Sequence, residues 1–171
     1  SLPIITQLGC HDIAVFSKGL GNGYPIGAII GKSRIMHAAQ STFISSTNWT
    51  ERTGTVAAIE CIKKHKNMDV ASHLISMGEM VQRGWKDIAL KYGLNIKVSG
   101  IPPLSHFTFD YEKPLVMKAL FIQLMLGYGF LASNLFYSMF AHKTQHVEQY
   151  LKAVDKAFSI IANAQQVDGL E

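Results

Sequence analysis

Cysteine is almost missing from this 171-residue chain: Cys10 and Cys61 are the only two, and they fall in neither a C-x-x-C nor a metal-ligand spacing. That leaves no dithiol or zinc motif and points to a reducing compartment. Charge is also scarce, at 16% of residues against 48% apolar, which excludes a disordered chain and leaves enough apolar side chains for a real core. Arginine occurs three times and never after Arg83, so the +4 balance rests on thirteen lysines. These are scattered apart from Lys63-Lys64-His65-Lys66, a cluster suited to the negative end of a helix. With no interleaving of aromatic and basic residues, a nucleic-acid partner is not expected. No uninterrupted apolar run is long enough to span a membrane: the most apolar window, Leu115 to Leu131, contains Lys118, Gln123 and two glycines. It reads as a buried helix followed by a strand. No signal peptide is visible, and a cytoplasmic location is expected. The chain opens on Ser1-Leu2-Pro3 without methionine, as a piece of a longer protein would, though a processed terminus reads the same.

Several catalytic signatures are missing as well. There is no G-x-S-x-G elbow. Of seven histidines only His142 and His146 stand four apart, and no carboxylate supports them, so no metal site is expected. Gly27-Ala-Ile-Ile-Gly31-Lys-Ser33 has three residues between its glycines where a phosphate loop needs four. Gly19, Gly21 and Gly23 miss the dinucleotide fingerprint, whose third glycine would fall on Tyr24.

What is present begins at Asp12. Ile13 to Phe16 reads as a buried strand that ends at Ser17, Lys18 and a glycine-rich turn. Ligands sit at strand ends in open α/β sheets, and a dehydrated lysine there can act as an amine nucleophile. The plain alternative is a solvated lysine beside an ordinary turn. After a second short run, Gly27 to Gly31, comes a solvated Lys32 and a short helix, Ser33 to Ala39. The hydroxyl-rich stretch from Phe43 then leads into a helix with Thr50 as N-cap, Glu51 in its first turn and Val56, Ile59 and Ile62 at helix spacing. Hydroxyls ahead of a helix can form a phosphate site or simply cap it. A long helix spans Met68 to Tyr92, with Val70, Leu74, Met77, Val81, Trp85 and Ile88 forming one buried stripe and Gly93 as its cap. Strands follow over Asn95–Val98 and Leu104–Phe109, then a helix opened by Pro114, an extended region from Phe130 to Phe140, and a last helix from about Thr144. Residues after Gln165 read as a tail. Asp110 and Glu112 read as solvated loop residues.

Ser17-Lys18-Gly19-Leu20-Gly21-Asn22-Gly23-Tyr24-Pro25-Ile26-Gly27-Ala28 resembles the cofactor-lysine segment of the class III aminotransferases. These are pyridoxal-phosphate enzymes of fold type I that include glutamate-1-semialdehyde aminomutase. Phe136-Tyr-Ser-Met-Phe-Ala-His142-Lys-Thr144 resembles their closing strand running into the last helix. The resemblance implies an α/β chain: residues 1–67 form the end of the large pyridoxal-phosphate domain and residues 68–171 a small C-terminal α/β domain. It implies that Lys18 carries the cofactor as an aldimine and is the catalytic residue. It further implies that Thr47, with Ser46 beside it, reaches the cofactor phosphate of the neighbouring subunit in a homodimer. The substrate would be a small amino compound, handled by amino transfer or by an aminomutase shift. The chain alone is expected to turn over little or nothing, because the aspartate that holds the pyridine nitrogen and the glycine/serine phosphate loop lie upstream in that family. The alternative of another class is a stand-alone α/β binding or subunit module that keeps the lysine loop for structural reasons.

Overall fold

The computed structural model describes residues 11–166, so Cys10 lies outside the described part. The chain divides between Val70 and Ala71 into two compact units. In the first, β1 (Ile13–Phe16) and β2 (Ala28–Gly31) form an antiparallel pair, with Ile13 opposite Gly31 and Phe16 opposite Ala28. A short helix α1 (Ser33–Met36) runs on as 3-10 turns through Ser41, and α2 (Arg52–Asn67) closes the unit.

Several expectations fail here. The first strand is not buried among the described residues: Val15 is 70% exposed and Ile13 49%. Among the described residues only one neighbouring strand pairs with it. Likewise Val56, Ile59 and Ile62 of α2 are exposed, while Gly54 and Ala58 are the residues it buries. Apolar spacing marks the face a helix can bury, whereas a close approach to backbone selects small residues. The N-cap also differs. It is Glu51, whose carboxylate accepts the Thr53 N–H at 2.8 Å, and not Thr50. Lys32 is not merely solvated: its ammonium lies 2.9 Å from Asp12.

The second unit places three helices against one face of a sheet. Helix α3 (Val70–Lys91) follows a left-handed Asp69, and Gly93 (φ +66°) terminates it. Strands β3 (Ile96–Ser99), β4 (Leu104–Phe109) and β5 (Leu135–Tyr137) pair antiparallel in that order, with helices α4 (Pro114–Gly127) and α5 (Thr144–Gln166) completing the chain. Strand β4 alternates, turning Ser105, Phe107 and Phe109 inward. Phe107 is the centre of the core, with edge contacts to Trp85 of α3, Phe121 of α4 and Phe158 of α5 at 4.9, 5.2 and 5.5 Å. The Trp85 indole N–H donates to the Tyr150 hydroxyl at 3.0 Å, and burial pushes the Tyr150 phenol far above its ordinary pKa. The extended region expected over 130–140 shrinks to β5, where Leu135 to Tyr137 stand in register with His106 to Leu104 of β4. Asp110 is not free: it pairs with Lys97 at 2.9 Å. Among the described residues no helix is long and apolar enough to cross a membrane, and no three His, Cys, Asp or Glu side chains gather as a metal site.

Candidate active site

Strand β1 delivers Ser17 in extended geometry, and Lys18 then adopts φ +42° as the first residue of a 3-10 turn, Lys18–Leu20. The Leu20 N–H donates to the Ser17 carbonyl at 2.9 Å, and the Tyr24 N–H to the Gly21 carbonyl at 3.2 Å, so the loop is built from two consecutive turns. Asn22 is left-handed too (φ +46°). Two such non-glycine residues within five positions store backbone strain, which persists only where the surrounding structure holds it. Lys18 is exposed, and among the described residues no carboxylate lies within ion-pair distance of it. Asp12, the acid nearest in sequence, is committed at the opposite end of β1, 2.9 Å from both Lys32 and Arg34.

The loop rests on α2. At Gly54 an added Cβ would sit 2.9 Å from the Pro25 carbonyl oxygen and 3.2 Å from the Ile26 Cβ. Two turns further on, the Cys61 thiol donates to the Gly19 carbonyl at 3.3 Å. The sequence reading missed this face of α2. Its signal was the run of small residues at 54, 58 and 61.

Ser46 and Thr47 lie on the exposed segment that leads into α2, and no hydrogen bond joins them to the lysine turn among the described residues. Their hydroxyls have no protein partner there. The N-terminus of α2 itself is occupied: the Thr53 hydroxyl and then its N–H hold the Glu51 carboxyl below the ordinary carboxylate range. An anion would meet that negative charge at the helix end, which leaves the exposed hydroxyls ahead of it, Ser46 and Thr47 among them.

In the second unit a cavity of about 390 Å³ opens beside α5, lined by Phe130, Phe136, Tyr137, His142, His146 and Tyr150 among others. The His142 ring stacks on Phe136, and its Nδ1 accepts the Met139 N–H at 3.1 Å. Its carbonyl accepts from His73 Nε2 at 2.8 Å. Burial first, and then the nearby His146 and His73 imidazoles, lower the His142 pKa. The unfolded chain therefore binds this proton more readily than the folded one. Stability is complete above about pH 6.5 and falls as pH drops through the lowered folded value. His142→Asn keeps a side-chain acceptor but cannot titrate. Urea midpoints of the two chains should therefore run parallel above neutrality and diverge below about pH 6.5, the parent losing more. Parallel curves down to pH 5 would contradict this.

No family model matches the chain. Over 91% of its length it is 27% identical to the aminopentol aminotransferase of Sphingopyxis macrogoltabida, covering 38% of that protein. Over 82% it is 25% identical to the 2'-deamino-2'-hydroxyneamine transaminase of Streptomyces kanamyceticus, covering 36%. The structure of the internal-aldimine form of the FumI protein from Sphingopyxis sp. MTA144 superposes with a TM-score of 0.86 at 25% identity, over 95% of this chain and 40% of that one. The homologues of this chain are pyridoxal-phosphate-dependent aminotransferases. A further transaminase solved with pyridoxal phosphate bound shares the fold at a TM-score of 0.80 and 20% identity. The mixed α/β architecture is that of part of a transaminase, and the chain spans about 40% of the length of these relatives. The transaminase setting fits the local geometry. A carbonyl cofactor needs an exposed, uncommitted amine on a loop with room around it, and added Cβ atoms at Gly19 and Gly23 would meet nothing within 4 Å.

Proposed function

We propose that the chain is the carboxy-terminal portion of a class III aminotransferase, with residues 1–67 ending the cofactor domain and residues 68–171 forming the small domain. Lys18 is the amine that would hold pyridoxal phosphate, then take and return a proton at the reacting substrate carbon. When bound, the cofactor supplies an electron sink for that carbon. Ser46 and Thr47 would donate their hydroxyls to the phosphate across a homodimer, where they find the acceptors they lack in the single chain. One observation carries the reading: a strained, exposed lysine without an acidic partner, at a strand end, in a chain whose homologues are aminotransferases.

The relatives named above are aminotransferases, which favours amino transfer over the aminomutase shift. A hydroxylated amine without a carboxylate is the substrate class we favour. The name aminopentol describes such a compound, and no arginine stands after Arg83 to read a carboxylate from the small domain. A cytoplasmic location belongs to the same proposal, since two cysteines without pairing spacing suit a reducing compartment. The stand-alone binding module has no support among the homologues.

The test is to incubate the chain with pyridoxal phosphate, reduce with borohydride and map the adducts by mass spectrometry. Lys18 should carry more adduct than any other lysine, since it is exposed at a strand end and among the described residues no carboxylate lies within ion-pair distance of it. An even spread over all the lysines would overturn the assignment.

A further inference from the structure

We propose that Cys61 is a positioning residue for Lys18, a role that rests on the reading of Lys18 as the cofactor amine. One residue beyond Lys18, the carbonyl of the Gly19–Leu20 peptide accepts from the Cys61 thiol at 3.3 Å. Gly54, Ala58 and Cys61 lie at steps of four and three, hence along one face of α2. Gly54 and Ala58 are the buried residues of that helix. Gly54 lets the helix reach the Pro25 carbonyl at the far end of the loop, and Cys61 grips its near end. The loop is thus pinned to one rigid element at both ends, with the left-handed Lys18 immediately beside the second pin. A thiol is a weak donor, but here it holds the Gly19–Leu20 peptide against α2 and so limits how far the backbone just beyond Lys18 can shift to relieve the strain there. Leu20 bonds only locally, to Ser17, so it cannot perform that task. Cys61 touches neither substrate nor cofactor in this scheme. It acts by holding the backbone on which the amine is carried.

Cys61→Ala keeps the residue small and removes the donor; Cys61→Ser keeps a donor. Two readouts are taken on the parent chain and both variants. The first is peptide-level hydrogen exchange over residues 17–24, which reports the pinning itself. The second is the share of borohydride-trapped pyridoxal phosphate found on Lys18. In Cys61→Ala, exchange over 17–24 should quicken by about threefold to tenfold, and the Lys18 preference should fall by a similar factor. Far-UV circular dichroism should be unchanged. Cys61→Ser should restore both readouts to within about twofold of the parent. Unchanged exchange in Cys61→Ala would overturn the inference, and so would faster exchange with the Lys18 preference intact. Either result leaves the assignment of Lys18 untouched if the parent traps cofactor there. A parent with no preference for Lys18 overturns that assignment, and the role of Cys61 with it.

Discussion

Replacing Lys18 by glycine should leave the chain at least as stable as the parent and end its selective capture of pyridoxal phosphate. At φ +42° a side chain costs about 1 kcal/mol that glycine does not incur. Glycine gives back roughly 0.5–1 kcal/mol through the freer unfolded chain, so the net change lies between zero and a small gain. Lys18→Ala is the control, since it removes the amine but retains the strain, and it should fall about 0–0.5 kcal/mol below the glycine variant. Both variants should trap cofactor without preference for any site. If Lys18 has the role proposed above, its loss in an assembled enzyme should lower the rate by at least about 10²–10⁴-fold, the share of a proton relay. Urea unfolding followed by circular dichroism, run beside the trapping experiment, separates the two effects. If Lys18→Gly lost more than about 1 kcal/mol, the lysine side chain would have a structural role that its exposure denies. Stability gained where chemistry is lost is the pattern expected of strain kept for function.

The parts that sequence could specify are those whose chemistry is local. Ile13–Phe16 and Leu104–Phe109 form strands at the expected residues, and Pro114 starts its helix as a proline at the first turn should. The stripe through Met77, Val81 and Trp85 packs inward because the unit it belongs to supplies the opposing residues. The same reasoning fails for Val56, Ile59 and Ile62, where the described residues supply none. Periodicity identifies a face and says nothing about its partner. Lys18 was visible because the residues around it form a recognisable run. The Cys61 grip was not, since a cysteine outside any motif spacing carries no local signal and its partner lies 42 positions away. The cap of α2 was illegible for a similar reason: Glu51 captures the Thr53 N–H, a choice settled by side-chain geometry that the run of hydroxyls did not reveal.

Gly78→Ala should be the most damaging single-methyl change in the second unit. Propensity alone argues the other way, since alanine in a helix interior is worth about 1 kcal/mol over glycine. Packing reverses the sign. Gly78 is buried on α3, and an added Cβ would fall inside the Pro102 carbonyl group, which is backbone and cannot rotate aside. Either the helix retreats or the 100–103 turn does, and the turn is tied on both sides. Gln82 of the same helix donates to the Gly100 carbonyl at 3.2 Å and to the Ser105 hydroxyl at 2.9 Å. The fully buried Ser105 hydroxyl donates in turn to the Pro102 carbonyl at 2.8 Å. Moving the turn breaks that chain and strands a buried hydroxyl. Overpacking costs about 1–3 kcal/mol and the orphaned hydroxyl about 1–3 kcal/mol, so a net loss of about 3 kcal/mol is expected after the propensity gain. Trp85 is fully buried one turn beyond Gln82, and its fluorescence follows this unit through a urea titration. With a slope of about 1–3 kcal/mol per molar urea, the midpoint should fall by at least about 1 M. A midpoint that rose instead would mean that helix propensity decides and that the close approach of α3 to Pro102 does not exist in solution.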